Sequence, residues 1–260
     1  MPARAVWKGA ISFGLVSIPV KTYGAISEHK TGMRMLCPKC KSPLQYKRIC
    51  PKGHGEIPWE NIIKGYEVQK GKYVPLTQKD LEKLELKAGR LIEIFQFVDI
   101  SNLDPIYFDN SYFLVPDANG EKPYFLLRQA LEEYDKIALG RFVFHEKEHL
   151  VALRPYEGAV LMETLHYADE IRTPNDFAEL KTPVEVDKDE LELAGQLIRI
   201  LKKPFAYKEY KDRYQEGLSK LVEAKMKGEE ELVEVRVPEI KPTKNLMETL
   251  KASIRSHDKR

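Results

Sequence analysis

The chain of 260 residues is long enough to bury a core without disulfide support, and with 43% apolar and 32% charged residues it reads as an ordinary soluble globular protein. Its three cysteines all fall between positions 37 and 50, which excludes a disulfide framework and points to a reducing cytoplasm; the apolar run at 9–20 is too short for a bilayer and lacks a small-residue cleavage pattern. The net charge of +2 is unevenly spread: residues 1–60 hold ten Lys or Arg against three Asp or Glu, residues 61–240 hold 26 against 35, and residues 241–260 hold six against two, so a basic first quarter sits on an acidic body, as in a protein that meets a polyanion on one face.

In chain order, residues 5–23 predict two short strands, because β-branched and aromatic residues recur at gaps of two and Gly14 offers a turn between them. Pro19 limits the second of these to a sheet edge or a strand end. Residues 33–54 then hold every cysteine and the densest positive charge. Cys37 and Cys40 form a C-x2-C pair, and Cys50 with His54 forms a C-x3-H pair, a set of three thiolates and one imidazole that suits a closed, structural zinc site rather than a catalytic one with an open position. Three unrelated thiols are the plainer alternative, since the expected second pair CPxCG is replaced by CPKGHG. Arg34, Lys39, Lys41, Lys47, Arg48 and Lys52 crowd this loop, and Lys70 and Lys72 follow it; together they are the candidate phosphate contacts.

Residues 58–72 predict a hairpin around Gly71 that returns the chain to the core. The string from Gly65 to Lys72 is G-x5-G-K followed by Tyr73, so it is not a phosphate loop. Thr77 with Asp80 starts a brief helix with Leu81 and Leu84 inward. Residues 90–98 and 109–115 read as strands, Asn119-Gly120 as a turn, and residues 124–134 as a helix with Leu127, Ala130, Leu131 and Tyr134 on its apolar face. Three further strands fall at 141–144, 150–154 and 159–167. Many short strands with few helices argue for a β-barrel or sandwich with decorations.

Residues 145–149 spell HEKEH, which matches the zinc-hydrolase signature H-E-x-x-H with His145, Glu146 and His149 in the working roles. That chemistry needs both histidines on one helical face, whereas the flanking runs RFVF and LVALRP read as strands and make the motif a polar hairpin turn. From Asp187 the pattern turns helical. Asp187 and Glu190 cap a helix with Leu191, Ala194, Ile198 and Leu201 as its stripe, and residues 207–227 predict a second with Tyr210, Tyr214, Leu218, Leu221 and Val222, stopped by Gly228. These faces pack either on the parent barrel or on a partner subunit, two placements that one sequence leaves open. Residues 229–244 are a charged, Pro-containing linker, and residues 245–260 hold a short amphipathic segment with Leu246, Met247, Leu250 and Ile254 on one side, marginal alone in water and suited to docking on a partner.

Taken together, RAVWKGAISFGLVSIPVKTY at 4–23, YKRICP at 46–51, IIKGYEVQKGKYVPLT at 62–77, DPIYFDNSYFLVPD at 104–117, EHLVALRP at 148–155 and LHYADEIR at 165–172 resemble prokaryotic Ku, the DNA-end-binding family of bacterial and archaeal non-homologous end joining. The resemblance covers nearly the whole chain. It implies a mainly β fold with α elements: a Ku-core β-barrel over residues 1–186 with a bridge insertion at about 30–72, then a helical arm for dimerisation at 187–228. It implies a homodimeric ring threaded by double-stranded DNA ends and a tail that engages the end-joining ATP-dependent DNA ligase through Leu246, Met247, Leu250 and Ile254. The eight basic residues would then face phosphates and the Cys37, Cys40, Cys50 and His54 set, with one structural zinc per chain, would stiffen the bridge. No nucleotide, membrane or catalytic role is expected, and a nucleoid-associated cytoplasmic location follows. Ser42 in place of a knuckle glycine and His54 in place of a fourth cysteine depart from the pattern. A zinc hydrolase on the HEKEH motif and a zinc-ribbon RNA-binding module are the competing readings.

Overall fold

The computed structural model describes residues 4–27, 32–77, 79–80, 90–144, 147–228 and 246–257. The chain divides into two compact units, residues 1–173 and 174–260. In the first, strands β1 (Trp7–Phe13), β2 (Val16–Gly24), β7 (Leu91–Val98), β8 (Phe108–Pro116), β9 (Ile137–Phe144), β10 (Lys147–Tyr156) and β11 (Ala159–Leu165) close into a barrel in the order β1-β2-β8-β11-β10-β9-β7. All neighbours are antiparallel except β1 and β7, whose short parallel pairing from Ala10↔Leu91 to Ser12↔Glu93 closes the ring. Closure leaves no long open edge, which is how a small-strand sheet avoids pairing with other chains.

Alternation along the strands puts Ile11, Ile18, Val20, Ile92, Leu114, Val151, Leu153, Val160 and Met162 inside, all fully buried. Each such aliphatic contributes about 1.5–3 kcal/mol by leaving water, so the barrel is stabilised by its own interior. Helix α1 (Glu121–Glu133) lies against β10 and β2 and plugs the same core with Tyr124, Leu127 and Leu131. The Tyr124 hydroxyl donates to the Leu114 carbonyl at 2.6 Å and accepts from the Val160 N–H at 2.8 Å, pinning the helix to β8 and β11. Burial pushes the Tyr124 phenol up from its ordinary value. Gly120, where α1 begins, admits no side chain: a Cβ there would sit 2.5 Å from the Pro19 carbonyl oxygen.

The strand and turn expectations around the barrel hold, with instructive departures. Pro19 lies inside β2 rather than at its end, paired with Ala10. It is tolerated because the β2–β8 ladder stops at Val20↔Pro116, so the missing N–H would have faced no strand; the Pro19 carbonyl accepts instead from the Asp117 N–H at 2.9 Å. Tyr134, expected inward, caps the C-terminus of α1 and is 70% exposed. A helical period carried one residue too far assigns it to the wrong side. At the HEKEH motif, Phe144 and Lys147 are cross-strand partners and His149 lies in β10 opposite Phe142. His145 and Glu146 lie outside the described residues, but strands on both sides deny the helix that a zinc hydrolase requires, and that reading is set aside.

The second unit begins with two short 3-10 turns, Pro174–Asp176 and Ala178–Leu180, followed by helix α2 (Lys188–Leu201), helix α3 (Arg213–Lys227) and helix α4 (Leu246–His257). Asp187 caps α2 by accepting from the Asp189 N–H at 2.7 Å. The predicted second helix starts late, at Arg213, because Asp212 takes the Tyr214 and Gln215 N–H groups and so sets the N-terminus there; Tyr210 falls in an irregular stretch and is exposed. Gly228 ends α3 at φ +78, as a left-handed stop.

Helix α2 also corrects its assigned face. Of the expected stripe, Leu191, Ile198 and Leu201 are exposed and Ala194 is half-buried, as are Leu193, Leu197 and Ile200. The covered side belongs to the contact with α4, whose Met247, Leu250 and Ile254 are likewise half-buried, whereas Leu246 is exposed. The C-terminal amphipathic segment therefore orders on this chain's own helix. Residues 81–89, with the expected inward Leu81 and Leu84, the linker at 229–244 and Asn245 lie outside the described residues. No described helix is long and apolar enough to cross a membrane.

Candidate nucleic-acid interface

After Gly24 the chain leaves the barrel, and it rejoins at Leu91; these two ends belong to β2 and β7, the strands on either side of β1. Residues 32–77 of this insertion carry nine Lys or Arg against three Glu. None of them is buried, and only Cys37, Cys50, Ile57 and Leu76 are even half-buried. The hairpin of β5 (Lys64–Gln69) and β6 (Lys72–Leu76) turns at Gly71, φ +80, as expected, but it does not return to the core: every residue of β5 is exposed. With so little apolar burial, turn chemistry and charge define the segment.

Two small hairpins carry the sulfur and imidazole groups. In the first, the Cys37 N–H donates to the Ser42 carbonyl at 2.9 Å and the Lys41 N–H donates to the Cys37 carbonyl at 2.8 Å, with Lys41 left-handed at φ +58 and Leu36 bridged to Pro43. In the second, β3 (Ile49–Cys50) pairs with β4 (Gly55–Glu56) across a turn that needs positive φ at Gly53 and Gly55. Cys50 Sγ and His54 Nδ1 face each other at 3.5 Å. The Cys40 thiol is brought down to about 7, first by its hydrogen bonds with the Ser42 hydroxyl and backbone and then by the Cys37 thiol. Ser42, a departure from the knuckle pattern, thus supplies polar support to a thiolate.

The four expected zinc ligands stand as two pairs. Among the described residues no three His, Cys, Asp or Glu side chains converge on one point. Cys37 with Cys40, and Cys50 with His54, fit a structural zinc in donor chemistry, but the tetrahedral sphere is not gathered by this geometry.

All eight predicted phosphate contacts are exposed, and they differ in setting. Lys39 and Lys52 sit in the two turns, Lys41 in the left-handed position, Lys70 in the β5–β6 turn, Lys72 at the start of β6 and Arg34 in the irregular approach to the first hairpin. Lys47 is in an ion pair with Glu56 at 2.7 Å. Arg48 places its guanidinium carbon 4.4 Å over the Trp59 ring. Trp59 was not legible as a site residue, because an isolated aromatic in a turn-rich stretch carries no periodic signal.

Comparison with known proteins finds similarity over most of the chain. The family model "Ku", described as the Ku70/Ku80 beta-barrel domain, matches residues 12–193. A protein of Archaeoglobus fulgidus named non-homologous end joining protein Ku is 43% identical over 251 residues, covering 96% of this chain and 98% of that one. Proteins of the same name from Heliobacterium modesticaldum, 41% identical over 98% of this chain and 92% of theirs, and from Bacillus subtilis, 37% identical over 96% and 81%, show the same near-complete correspondence.

Proposed function

Given that the chain belongs to the Ku family, we propose that it binds double-stranded DNA ends without reading sequence, as a homodimeric ring, and recruits an end-joining DNA ligase. The observation that carries this reading is the basic insertion: nine cations on a segment with no buried residue, projecting from a closed barrel. Lys and Arg presented this way meet phosphates, and affinity then falls with salt at a log–log slope of about −0.9 per phosphate neutralised. Base contacts are not required, and end specificity comes from topology, because a closed ring loads only at a terminus. The chain's charge pattern supports the same economy: the acidic body repels DNA wherever the insertion does not hold it.

The exposed apolar stripe of α2, Leu191, Ile198 and Leu201, suits the dimer contact of that ring. Ligase docking falls to α4, with Leu246 the anchor already available and Met247, Leu250 and Ile254 turned to the covered side. One structural zinc per chain, held by Cys37, Cys40, Cys50 and His54, belongs to the same proposal as a clip between the two hairpins; elemental analysis after dialysis is expected to find it, and a metal-free, fully DNA-competent protein would remove it.

The test of the main reading is a comparison of linear duplex, covalently closed circular duplex and single-stranded RNA. Retention of linear duplex alone supports the end clamp. Equal binding to all three sinks it and favours a zinc-ribbon RNA module.

A further inference from the structure

The candidate phosphate contacts are equivalent in the sequence and unequal in the structure, and two neighbours show the difference most sharply. Lys47 Nζ lies 2.7 Å from Glu56 Oε2, so a carboxylate already answers its charge. Arg48 has no carboxylate partner among the described residues; its guanidinium lies over the Trp59 indole. The backbone explains the pairing. The Ile57 N–H donates to the Arg48 carbonyl at 2.9 Å, which extends the β3–β4 ladder by one step. Trp59, two residues past Ile57, opens the short 3-10 turn Trp59–Asn61 that follows this ladder, which brings its ring beneath the Arg48 guanidinium.

The two partners act differently on a cation. A carboxylate neutralises it and must be displaced before a phosphate can take its place. An indole face attracts the guanidinium through its quadrupole, removes none of its charge and leaves the planar N–H edge open. That edge is the part of arginine that grips a phosphate with two parallel hydrogen bonds. Trp59 is 68% exposed and closes no core, so filling space does not account for it.

Resting on the end-binding reading above, the geometry points to Trp59 as the positioning residue that holds Arg48 in advance for a bidentate contact with a DNA phosphate, while Glu56 keeps Lys47 out of that contact. Ordering the guanidinium beforehand removes part of the rotamer entropy that a free surface arginine loses on binding.

The test is the affinity of the full chain for linear duplex as a function of salt, with closed circular duplex as control. Arg48→Gln is expected to flatten the log–log slope by about 0.9, the loss of one phosphate contact, and Lys47→Gln to leave the slope unchanged. Trp59→Leu is expected to weaken binding about two- to fivefold at fixed salt with the slope intact, and Trp59→Phe to recover most of that loss because a ring face is restored. The proposal is overturned by an unchanged slope in Arg48→Gln, by an equal flattening in Lys47→Gln, by Trp59→Phe being as weak as Trp59→Leu, or by a fall in unfolding midpoint that accounts for the Trp59→Leu loss. Wild-type protein that binds circular and linear duplex alike overturns the end-binding reading itself, and the variant series then still reports whether Arg48 and Trp59 meet phosphate.

Discussion

The barrel and the insertion that leaves it are built on opposite principles. The barrel hides Ile11, Ile92, Leu114 and Leu153 from water completely and locks its helix with a buried tyrosine. The insertion at 32–77 buries nothing, and it is shaped by left-handed turns at Lys41, Gly53, Gly55 and Gly71, by short ladders and by paired polar groups. One region converts apolar area into stability, and the other leaves its residues free to present charge. The lesson is that substitutions in the first are expected to act on folding, and those in the second on binding.

The strongest challenge to that division is to reverse the charge of the insertion. On the proposed end-binding function, replacing Lys39, Lys41, Lys47 and Arg48 together by Glu is expected to abolish duplex binding in a gel shift while the denaturation midpoint stays put; unchanged binding would move the proposed DNA path elsewhere. Next, Leu153→Ala is expected to lower the unfolding free energy by about 2–5 kcal/mol in a denaturant titration, through lost burial and a cavity, with the salt slope of binding preserved in the folded fraction. Tyr124→Phe leaves the Val160 N–H and the Leu114 carbonyl without their buried partner, and a loss of about 1–3 kcal/mol is expected by the same titration. A loss near zero there would mean the helix is held by packing alone.

The smallest effect concerns Asp117, whose carboxyl is held below the ordinary carboxylate range first by the hydrogen bond from Lys21, at 2.6 Å, and then by the Ala118 N–H. A carboxylate with a depressed folded value contributes stability that is complete above its unfolded value and is lost as pH falls through the folded one. Asp117→Asn is therefore expected to lower the unfolding midpoint slightly at neutral pH, with the difference from the parent shrinking away as pH falls below about 4. The effect is small because the Lys21 pair is partly exposed, and a difference that stayed the same in acid would show that the ionised Asp117 carboxylate is not its source.

Much of the barrel was legible because alternation survives wherever one face of a strand is buried. β1, β2, β7 and β8 fall where β-branched and aromatic residues recur at gaps of two. Gly14, Asn119-Gly120 and Gly228 marked turns and a helix stop because their backbone conformations favour few residue types. The candidate interface was legible by chemistry and not by arrangement. Cys37, Cys40, Cys50 and His54 announce themselves by spacing, yet spacing does not say that they gather as two pairs. Eight basic residues could be named, but nothing in their identities separates Lys47, answered by Glu56, from Arg48, laid on Trp59. Helical period likewise assigned α2 the stripe Leu191, Ala194, Ile198 and Leu201, and it did not carry the information that Leu193, Leu197 and Ile200 would be the partly covered leucines and isoleucine on a helix that contacts α4.

The family was readable in the amino-acid sequence through blocks such as RAVWKGAISFGLVSIPVKTY and DPIYFDNSYFLVPD that resemble it, while the mainly β character and the basic insertion were readable from period, local turn preference and charge. Tertiary structure decided the closure of the barrel through the short β1–β7 parallel pairing, the tolerance of Pro19 where the β8 ladder ends, and the docking of α4 on α2. It also decided that Arg48 meets an aromatic face. Each of these is a meeting of segments distant along the chain or across a ladder, set by water exclusion in the barrel and by a short backbone ladder and a cation–ring contact at Arg48, and no local window of residues contains either.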